Sequence, residues 1–378
     1  YRTYNPLVDE VLKKCVALDS EFSLAQALIG SVGYRITPEE AREKIIMAYN
    51  NIKNVTEIEA AIINSIYENV INGNISKGES VLEEIVQKYP DYYYLRIYLG
   101  QYQNLIAKNP KKSQISWEEA LRIDPNNSLA KLLLSQLHYV TTTDFQLLSR
   151  NEIDMEKAIN LIQEVEIAEP NNYICPRLLG NVYRRRGDFD ESIKAYEKAM
   201  ELIGDEKSSS YGQLLLVNAH NYVFKKEYVT ARELYAKSIE TLRDNGSQNI
   251  FTSLWSAETY IYDKKYDQAI KAIDKVESWV NSNIELGDLQ RSNQLYYCDF
   301  ERYLAYGHSQ MKEDAYQSLQ NMNAHAEDSK KFRKQFASSD SELERIELEV
   351  EINKEFNNIW YLILFGEFEE AAEPLKSY

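Results

Sequence analysis

The chain of 378 residues contains few glycines and prolines and no long apolar run. Thirteen glycines and eight prolines leave few positions for tight β-turns, which favours a mostly helical protein. The longest apolar run near an end, IWYLILF, has seven residues, whereas a membrane-spanning helix needs ~20. The sequence therefore predicts no membrane span in this segment.

Cysteine is also scarce. Cys15, Cys175 and Cys298 lie more than 100 positions apart, form no CxxC pair and are odd in number. Neither a structural zinc site nor a disulfide framework is predicted. We expect mostly buried thiols in a reducing compartment, which favours the cytoplasm. Because the chain begins at Tyr1 without a methionine, we expect an extracytoplasmic location instead if a leader was removed before Tyr1.

Net positive charge is missing as well. The formal net charge is −16, whereas binding to the phosphates of nucleic acid requires a basic surface. The composition therefore predicts no nucleic-acid partner, and the acidity is interpreted as a solubilising property.

Catalytic and cofactor-binding motifs are absent from the sequence. No two of the four histidines, His138, His220, His308 and His325, are three or four positions apart, so no helix carries a metal-ligating pair. GxGxxG, GxxxxGK[ST] and GxSxG motifs are also missing. We expect no enzymatic activity, no cofactor and no metal site.

What the sequence does contain is a repeat with fixed internal spacing. Three copies share a small residue, a tyrosine three positions later and a second small residue twelve positions after the first. They are Gly180, Tyr183 and Ser192; Ala219, Tyr222 and Ala231; and Ala257, Tyr260 and Ala269. Since three positions are about one helical turn, the first two residues share a helix face, and a polar turn and a second amphipathic helix follow. The pattern predicts closely packed antiparallel helix pairs.

The unit that begins at Tyr173 resembles the tetratricopeptide repeat, a helix-turn-helix unit of 34 residues. The resemblance is carried by Leu179, Gly180, Tyr183, Ser192, Tyr196 and Ala199, with Gly204 in place of the family's proline, and by Trp117 to Asn127 in an earlier unit. It implies an all-α fold, an α-solenoid in which antiparallel helix pairs stack into a right-handed superhelix.

In this frame we expect one continuous solenoid. About six repeats would occupy residues 59–283, between a degenerate N-terminal repeat or cap at 1–58 and degenerate C-terminal repeats or a cap at 284–378. The unit 128–172 carries about eleven extra residues around TTTDFQLLSRNE, interpreted as an enlarged turn between its helices. Thr37 and the three residues after it predict a helix start.

The turn itself has a signature that recurs outside the three clear copies. A glycine is followed five positions later by a small residue, at Gly73 and Gly78 and again at Gly366 and Ala371. The same spacing separates Gly187 from Ser192. These positions predict further turns between helices.

In the family that the chain resembles, the first helix of each unit lines a concave binding groove. The positions that this implies here are Arg177, Asn181 and Arg184 in one unit, His220 and Glu258 in the next two, and Tyr98, Tyr102 and Tyr139 in earlier units. Spacings of four and three place the first three on one stripe of a helix, where arginine suits a carboxylate such as a peptide C-terminus. Largely apolar neighbouring units argue against a complete carboxylate clamp.

The basic run from Arg184 to Arg186 has two interpretations. In one, the three arginines neutralise Asp188, Asp190 and Glu191 through exposed ion pairs of little energetic value. In the other, Arg184 faces the groove and Arg186 faces solvent.

We therefore expect a non-enzymatic scaffold that binds a protein or peptide segment in its groove, with the oligomeric state left open. Two alternatives remain. The first is a ligand-sensing or partner-sensing module of a bacterial signalling or transcriptional-regulator protein, because the first half of the chain resembles repeat segments of such proteins. The second is a surface glycan-binding helical protein, because tyrosine and tryptophan suit stacking on sugars.

Overall fold

The computed structural model describes residues 6–32, 37–139, 147–244, 250–335 and 340–375. In these ranges the chain forms nineteen α-helices, a short 3₁₀ turn at Ile52–Asn54 and no strand. Part of the expected enlarged turn, residues 141–146, lies outside them.

The chain divides into two compact units, Tyr1–Gly187 and Asp188–Tyr378, each described by itself. The helices of the first unit are α1 (Pro6–Leu18), α2 (Ser23–Val32), α3 (Pro38–Asn50), α4 (Glu57–Val70), α5 (Ile75–Lys88), α6 (Tyr93–Leu105), α7 (Pro110–Ile123), α8 (Ser128–Gln136), α9 (Met155–Ala168) and α10 (Ile174–Arg186). Those of the second are α11 (Phe189–Ile203), α12 (Ser209–Phe224), α13 (Tyr228–Asp244), α14 (Ile250–Tyr262), α15 (Tyr266–Ser282), α16 (Asp288–His308), α17 (Lys312–Gln335), α18 (Asp340–Leu364) and α19 (Phe368–Leu375). The expected division at residues 58 and 283 stays a prediction.

The helix start predicted at Thr37 is confirmed. The hydroxyl of Thr37 accepts a hydrogen bond from the backbone N–H of Glu40 at 3.2 Å, and the Glu40 carboxylate accepts one from the N–H of Thr37 at 3.0 Å. Thr56 and Glu59 begin α4 in the same way. These bonds satisfy N–H groups that the first turn of a helix leaves without partners.

The turns between paired helices share one backbone geometry. Eight of the described residues have φ between +54° and +91°. Gly204 ends α11, and the other seven lie in turns of this kind: Gly73, Lys108, Gly187, Lys226, Lys264, Gln310 and Gly366. Five positions after each of these seven stands a small buried residue: Gly78, Ser113, Ser192, Ala231, Ala269, Ala315 and Ala371. The turn signature seen in the sequence therefore continues, through Gln310 and Gly366, into the region expected to be degenerate.

Lys226 offers a test of this turn geometry. Its φ of +62° places a Cβ where L-residues are strained by ~1 kcal/mol, and glycine has no Cβ. Lys226→Gly is expected to raise the free energy of unfolding by about 0.5–1 kcal/mol, measured by urea denaturation. Lys226→Ala keeps the Cβ and should give no such rise. A glycine variant less stable than the alanine variant would contradict the assignment.

Two glycines in the first unit leave space for large aromatic side chains of the following helix. A Cβ on Gly100 of α6 would lie 2.3 Å from Nε1 of Trp117 on α7, and one on Gly78 of α5 would lie 2.3 Å from the hydroxyl of Tyr102 on α6. Trp117 is fully buried and donates a hydrogen bond to the carbonyl of Ile97 at 3.1 Å. Packing therefore requires glycine at both positions.

The second unit has several small cores rather than one thick one. They comprise Ala219, Ala231 and Tyr235 between α12 and α13; Leu254, Ala257, Ile273 and Cys298 among α14, α15 and α16; and Tyr303, Ala315, Leu319 and Met322 between α16 and α17. Each helix pair thus buries its own set of side chains against the next, as in stacked repeats.

Candidate binding surface on the first helices of the repeats

Three first helices of the second unit are connected through aromatic rings. His220 of α12 meets Trp255 of α14 edge-on, with ring centroids 5.0 Å apart. Phe251 of α14 lies 6.1 Å from Trp255 and meets Tyr297 of α16 edge-on at 4.8 Å. These four residues form a continuous surface across three repeats, which we call the aromatic stripe.

His220, one of the predicted groove residues, is held in place by the helix that follows it. Its Nδ1 lies 2.7 Å from the hydroxyl of Tyr235 on α13, and the two rings are edge-on at 5.6 Å. Tyr235 is itself 1% exposed, within the α12–α13 core. The half-buried imidazole is therefore oriented by a rigid partner.

Two carboxyl groups border the aromatic stripe. Glu258, another predicted groove residue, accepts a hydrogen bond from the hydroxyl of Tyr262, one turn later on α14. Glu301 on α16 is only 8% exposed, and its Oε2 has no hydrogen-bond partner within the described ranges. We call Glu258 and Glu301 the carboxyl pair.

Burial controls the protonation of the carboxyl pair. It raises the pKa of Glu258, against the opposing effect of the Tyr262 hydrogen bond. It also raises the pKa of Glu301 to about 8, and the charge of Glu258 adds to this rise. The two groups are therefore near enough to repel each other when both are ionised.

The predicted residues Arg177, Asn181 and Arg184 lie in the first unit, on α10, and all three are half-buried. The Nε of Arg177 is buried and has no hydrogen-bond partner in the part of the chain that the structure describes. Because buried polar atoms are normally hydrogen-bonded, Arg177 is the member of this group that would gain most from an anionic ligand.

Arg186, at the end of the basic run, is exposed and pairs with a different helix. It forms an ion pair with Glu156 of α9, and its guanidinium lies 5.4 Å from the centroid of the Tyr183 ring. Asp190, one of the acidic residues expected to neutralise the run, pairs with Lys225 at 2.8 Å. Closeness in the sequence therefore predicted neither the Arg186–Glu156 pair nor the Asp190–Lys225 pair.

The predicted tyrosines are packing residues to different degrees. Tyr102 and Tyr139 are 6% and 3% exposed, whereas Tyr98 is half-buried. The hydroxyl of Tyr102 donates to the carbonyl of Ile75 at 3.0 Å, and burial raises the pKa of Tyr98 and of Tyr102 to about 12. The structure thus places Tyr102 and Tyr139 in the interior, and we keep only Tyr98 as a surface candidate.

Glu301 belongs to a helix pair, α16 and α17, that the repeat pattern in the sequence did not identify. It stands nine positions before Gln310, the left-handed turn residue, as Trp255 stands nine positions before Lys264. Tyr303 occupies the position that Gly180, Ala219 or Ala257 has in the clear copies, so the small-residue signal is lost there. The turn at residues 310–315 is the signal that could have located Glu301.

A concavity of about 530 Å³ also lies among α16, α17 and α18. Its lining includes His325, whose Nε2 is 3.4 Å from a carboxylate oxygen of Asp299, and Arg333, which pairs with Glu349 at 2.8 Å. These polar groups already have partners inside the protein, so they provide less for a ligand than Glu301 does.

Among the residues that the structure describes, no three His, Cys, Asp or Glu side chains are placed to hold a metal ion together. None of the described helices combines the length and apolar character required for crossing a membrane.

Paired helices with a shared left-handed turn and a small residue five positions later define a helical repeat protein. More specifically, residues 177–205 match the family model of the tetratricopeptide repeat. The all-α solenoid class expected from the sequence is confirmed. Repeats of this family generally act as non-catalytic scaffolds for protein or peptide partners.

Comparison with solved structures gives the same fold. The chain is similar to a tetratricopeptide repeat protein from Parabacteroides merdae, with 18% identity, a TM-score of 0.51 and coverage of 77% of this chain and 98% of that one. It is also similar to pilF of Pseudomonas aeruginosa (15% identity, TM-score 0.41, coverage 68% and 97%) and to YrrB, described as having an unusual peptide-binding site (14%, 0.35, 55% and 91%). No curated protein sequence matches the chain.

Proposed function

We propose that this protein is a non-enzymatic scaffold that binds a protein or peptide segment on the first-helix surface of its second unit. The observation that carries the proposal is the aromatic stripe, which links three consecutive repeats. Aromatic side chains dominate the energetics of protein interfaces, because each buries a large apolar area with few rotatable bonds. A segment lying across α12, α14 and α16 would cover such residues in succession.

Exposure supports this surface. Within the stripe and next to it, Tyr297 is 41% exposed and Tyr262 is 48% exposed. Fully burying an exposed aromatic side chain contributes about 1.5–3 kcal/mol, so covering the exposed parts of these two rings provides some of the apolar part of a specific contact.

The first unit offers a separate polar anchor on α10. We retain Arg177, Asn181 and Arg184 as a proposed anion-binding stripe, supported by the unpartnered Nε of Arg177 within the described ranges. Arginine binds a carboxylate through two parallel hydrogen bonds, which orients as well as attracts it. Tyr98 is the proposed apolar contact of this unit.

The proposal is tested by selecting binders from a displayed peptide library and measuring the affinities of selected peptides for variants. Trp255→Ala and Tyr297→Ala are each expected to weaken binding tenfold or more, since an aromatic anchor contributes ~2 kcal/mol or more. Binding would be measured by titration calorimetry, with folding checked by circular dichroism. Tyr297→Ala carries the test if Trp255→Ala folds poorly.

Trp360 provides the matched control. It lies on α18, is 57% exposed and stands outside the aromatic stripe. Trp360→Ala should leave the affinities unchanged. Selected peptides that bind the stripe variants as tightly as the wild type, or that lose affinity equally with Trp360→Ala, would rule out the stripe as the binding surface.

A further inference from the structure

We propose that Glu258 and Glu301 receive a basic side chain of the bound segment, with Trp255 as the aromatic wall of the site. This inference rests on the proposed function and names the partner: a protein or peptide segment that presents an arginine or a lysine. It concerns only the second unit.

The two carboxyl groups lie on adjacent first helices, beside the aromatic side chains. Trp255, Glu258 and Tyr262 follow each other on α14 at spacings of three and four positions, so they share one face of the helix. Glu301 lies on α16, which contacts α14 directly. Two acceptors from adjacent repeats therefore border the same stretch of the aromatic stripe.

Glu301 has unmet hydrogen-bonding capacity. This carboxyl group is more than nine-tenths buried, yet Oε2 finds no donor among the described residues. A buried polar atom without a partner is costly, and the cost is larger for a charged one. A guanidinium or an ammonium supplies both the missing hydrogen-bond donor and the opposite charge.

The arginines nearby already bind other carboxylates. Arg302, next to Glu301, bonds to Asp299 at 2.7 Å and to two carboxylates of α15. Arg232 of α13 bonds to Asp263 at 3.2 Å. Neither Glu258 nor Glu301 has an ion-pair partner within the ranges described, which leaves both carboxyl groups available to a cation of the bound segment.

The carboxyl pair and Trp255 favour an organic cation over a metal ion. The described residues place no third carboxylate, histidine or cysteine with the carboxyl pair, whereas divalent metals take more ligands than two carboxylates. Trp255 favours an organic cation, because an ammonium or guanidinium over an aromatic face gains cation–π attraction. The chemistry therefore fits a basic side chain better than a metal ion.

Binding of a cation is coupled to a proton. Glu301 holds its proton up to a pH of about 8 because burial raises its pKa, and an approaching cation stabilises the ionised form. The charged group that acts on the pKa of Glu301 is Glu258 of α14, while burial, Glu258, Glu301 and Tyr235 of α13 all raise the pKa of Tyr262. Affinity for a basic segment should therefore increase with pH.

The test compares a library-selected peptide that contains arginine with the same peptide carrying citrulline, a neutral analogue of nearly the same shape. The arginine peptide is expected to bind tenfold or more tightly at pH 8, and its affinity should rise about tenfold or more between pH 6 and pH 8. Glu301→Gln and Glu258→Gln should reduce both differences towards none. Glu240→Gln, an exposed change on α13, should preserve them.

Other outcomes would overturn the inference while leaving the proposed function intact. Equal binding of the arginine and citrulline peptides, with continued dependence on Tyr297, would show an apolar surface without a cation site. Competition by millimolar magnesium or calcium chloride that Glu301→Gln abolishes would assign the carboxyl pair to a metal ion. Failure of both the stripe variants and the carboxyl variants to change affinity would reject the proposed function itself.

Discussion

Replacing Arg302 by alanine should lower the free energy of unfolding of the second unit by about 3–5 kcal/mol. The Arg302 side chain is 13% exposed and bonds to Asp299 at 2.7 Å, to Asp274 at 2.9 Å and to Glu277. Asp299 has a side chain only 5% exposed. Truncating the arginine leaves this carboxylate buried without its main partner, and an uncompensated buried charge is far more costly than a lost surface contact.

The measurement is a urea titration followed by circular dichroism at pH 7. Lys194→Ala is a control, because Lys194 and Glu191 form an exposed pair within α11, and exposed ion pairs contribute little to stability. Arg302→Met combined with Asp299→Asn should recover much of the loss, since it removes the buried charge together with its partner. A cost for Arg302→Ala no larger than that for Lys194→Ala would contradict the prediction.

The second large expected effect is a dependence of the free energy of unfolding on pH. Burial raises the pKa of Glu301 from 4.5 to about 8, and the charge of Glu258 adds to the shift. Between these two values the folded protein holds a proton that the unfolded chain has released. Unfolding therefore releases a proton, and stability falls as pH rises through this window by up to ~1.4 kcal/mol per pH unit.

Glu301→Gln should remove this loss, because an amide has no proton to release. We expect the free energy of unfolding of the wild type to fall relative to that of the variant by ~1–1.4 kcal/mol per unit between pH 5 and pH 7.5. Urea titrations at pH 5.5, 6.5 and 7.5 measure the difference, and Glu240→Gln should run parallel to the wild type. Parallel curves for Glu301→Gln would mean that Glu301 is ionised in the folded protein.

A residue that stabilises the fold and a residue of the proposed binding site are therefore adjacent on α16. Arg302 and Glu301 are neighbours in sequence but lie in opposite electrostatic settings: the arginine has three carboxylates, whereas the glutamate has no cation among the described residues. The first setting stabilises the fold. The second leaves a buried acceptor beside the aromatic stripe, which is the feature that we assign to a partner.

Much of the local structure could be predicted from the sequence alone. Small residues and tyrosines at fixed offsets, such as Gly180 with Tyr183, identify the helix pairs, because spacing along a helix determines which side chains share a face. The turn at Gly187 and the helix start at Thr37 are likewise local, since they depend on a few adjacent backbone groups. The sequence also located His220 and Glu258 on first helices.

Only the tertiary structure decided which faces of these helices are exposed to solvent. Tyr102 has the spacing of a groove residue, but its ring fills the space left by Gly78 on the neighbouring helix. No groove position is predicted for Glu301 from the repeat pattern, because Tyr303 stands where that pattern has a small residue. Helix periodicity, which is local in the sequence, determined the repeats of this protein. Burial and loss of water depend instead on side chains brought together from distant positions. Packing between repeats therefore decided which polar groups remain available to a partner.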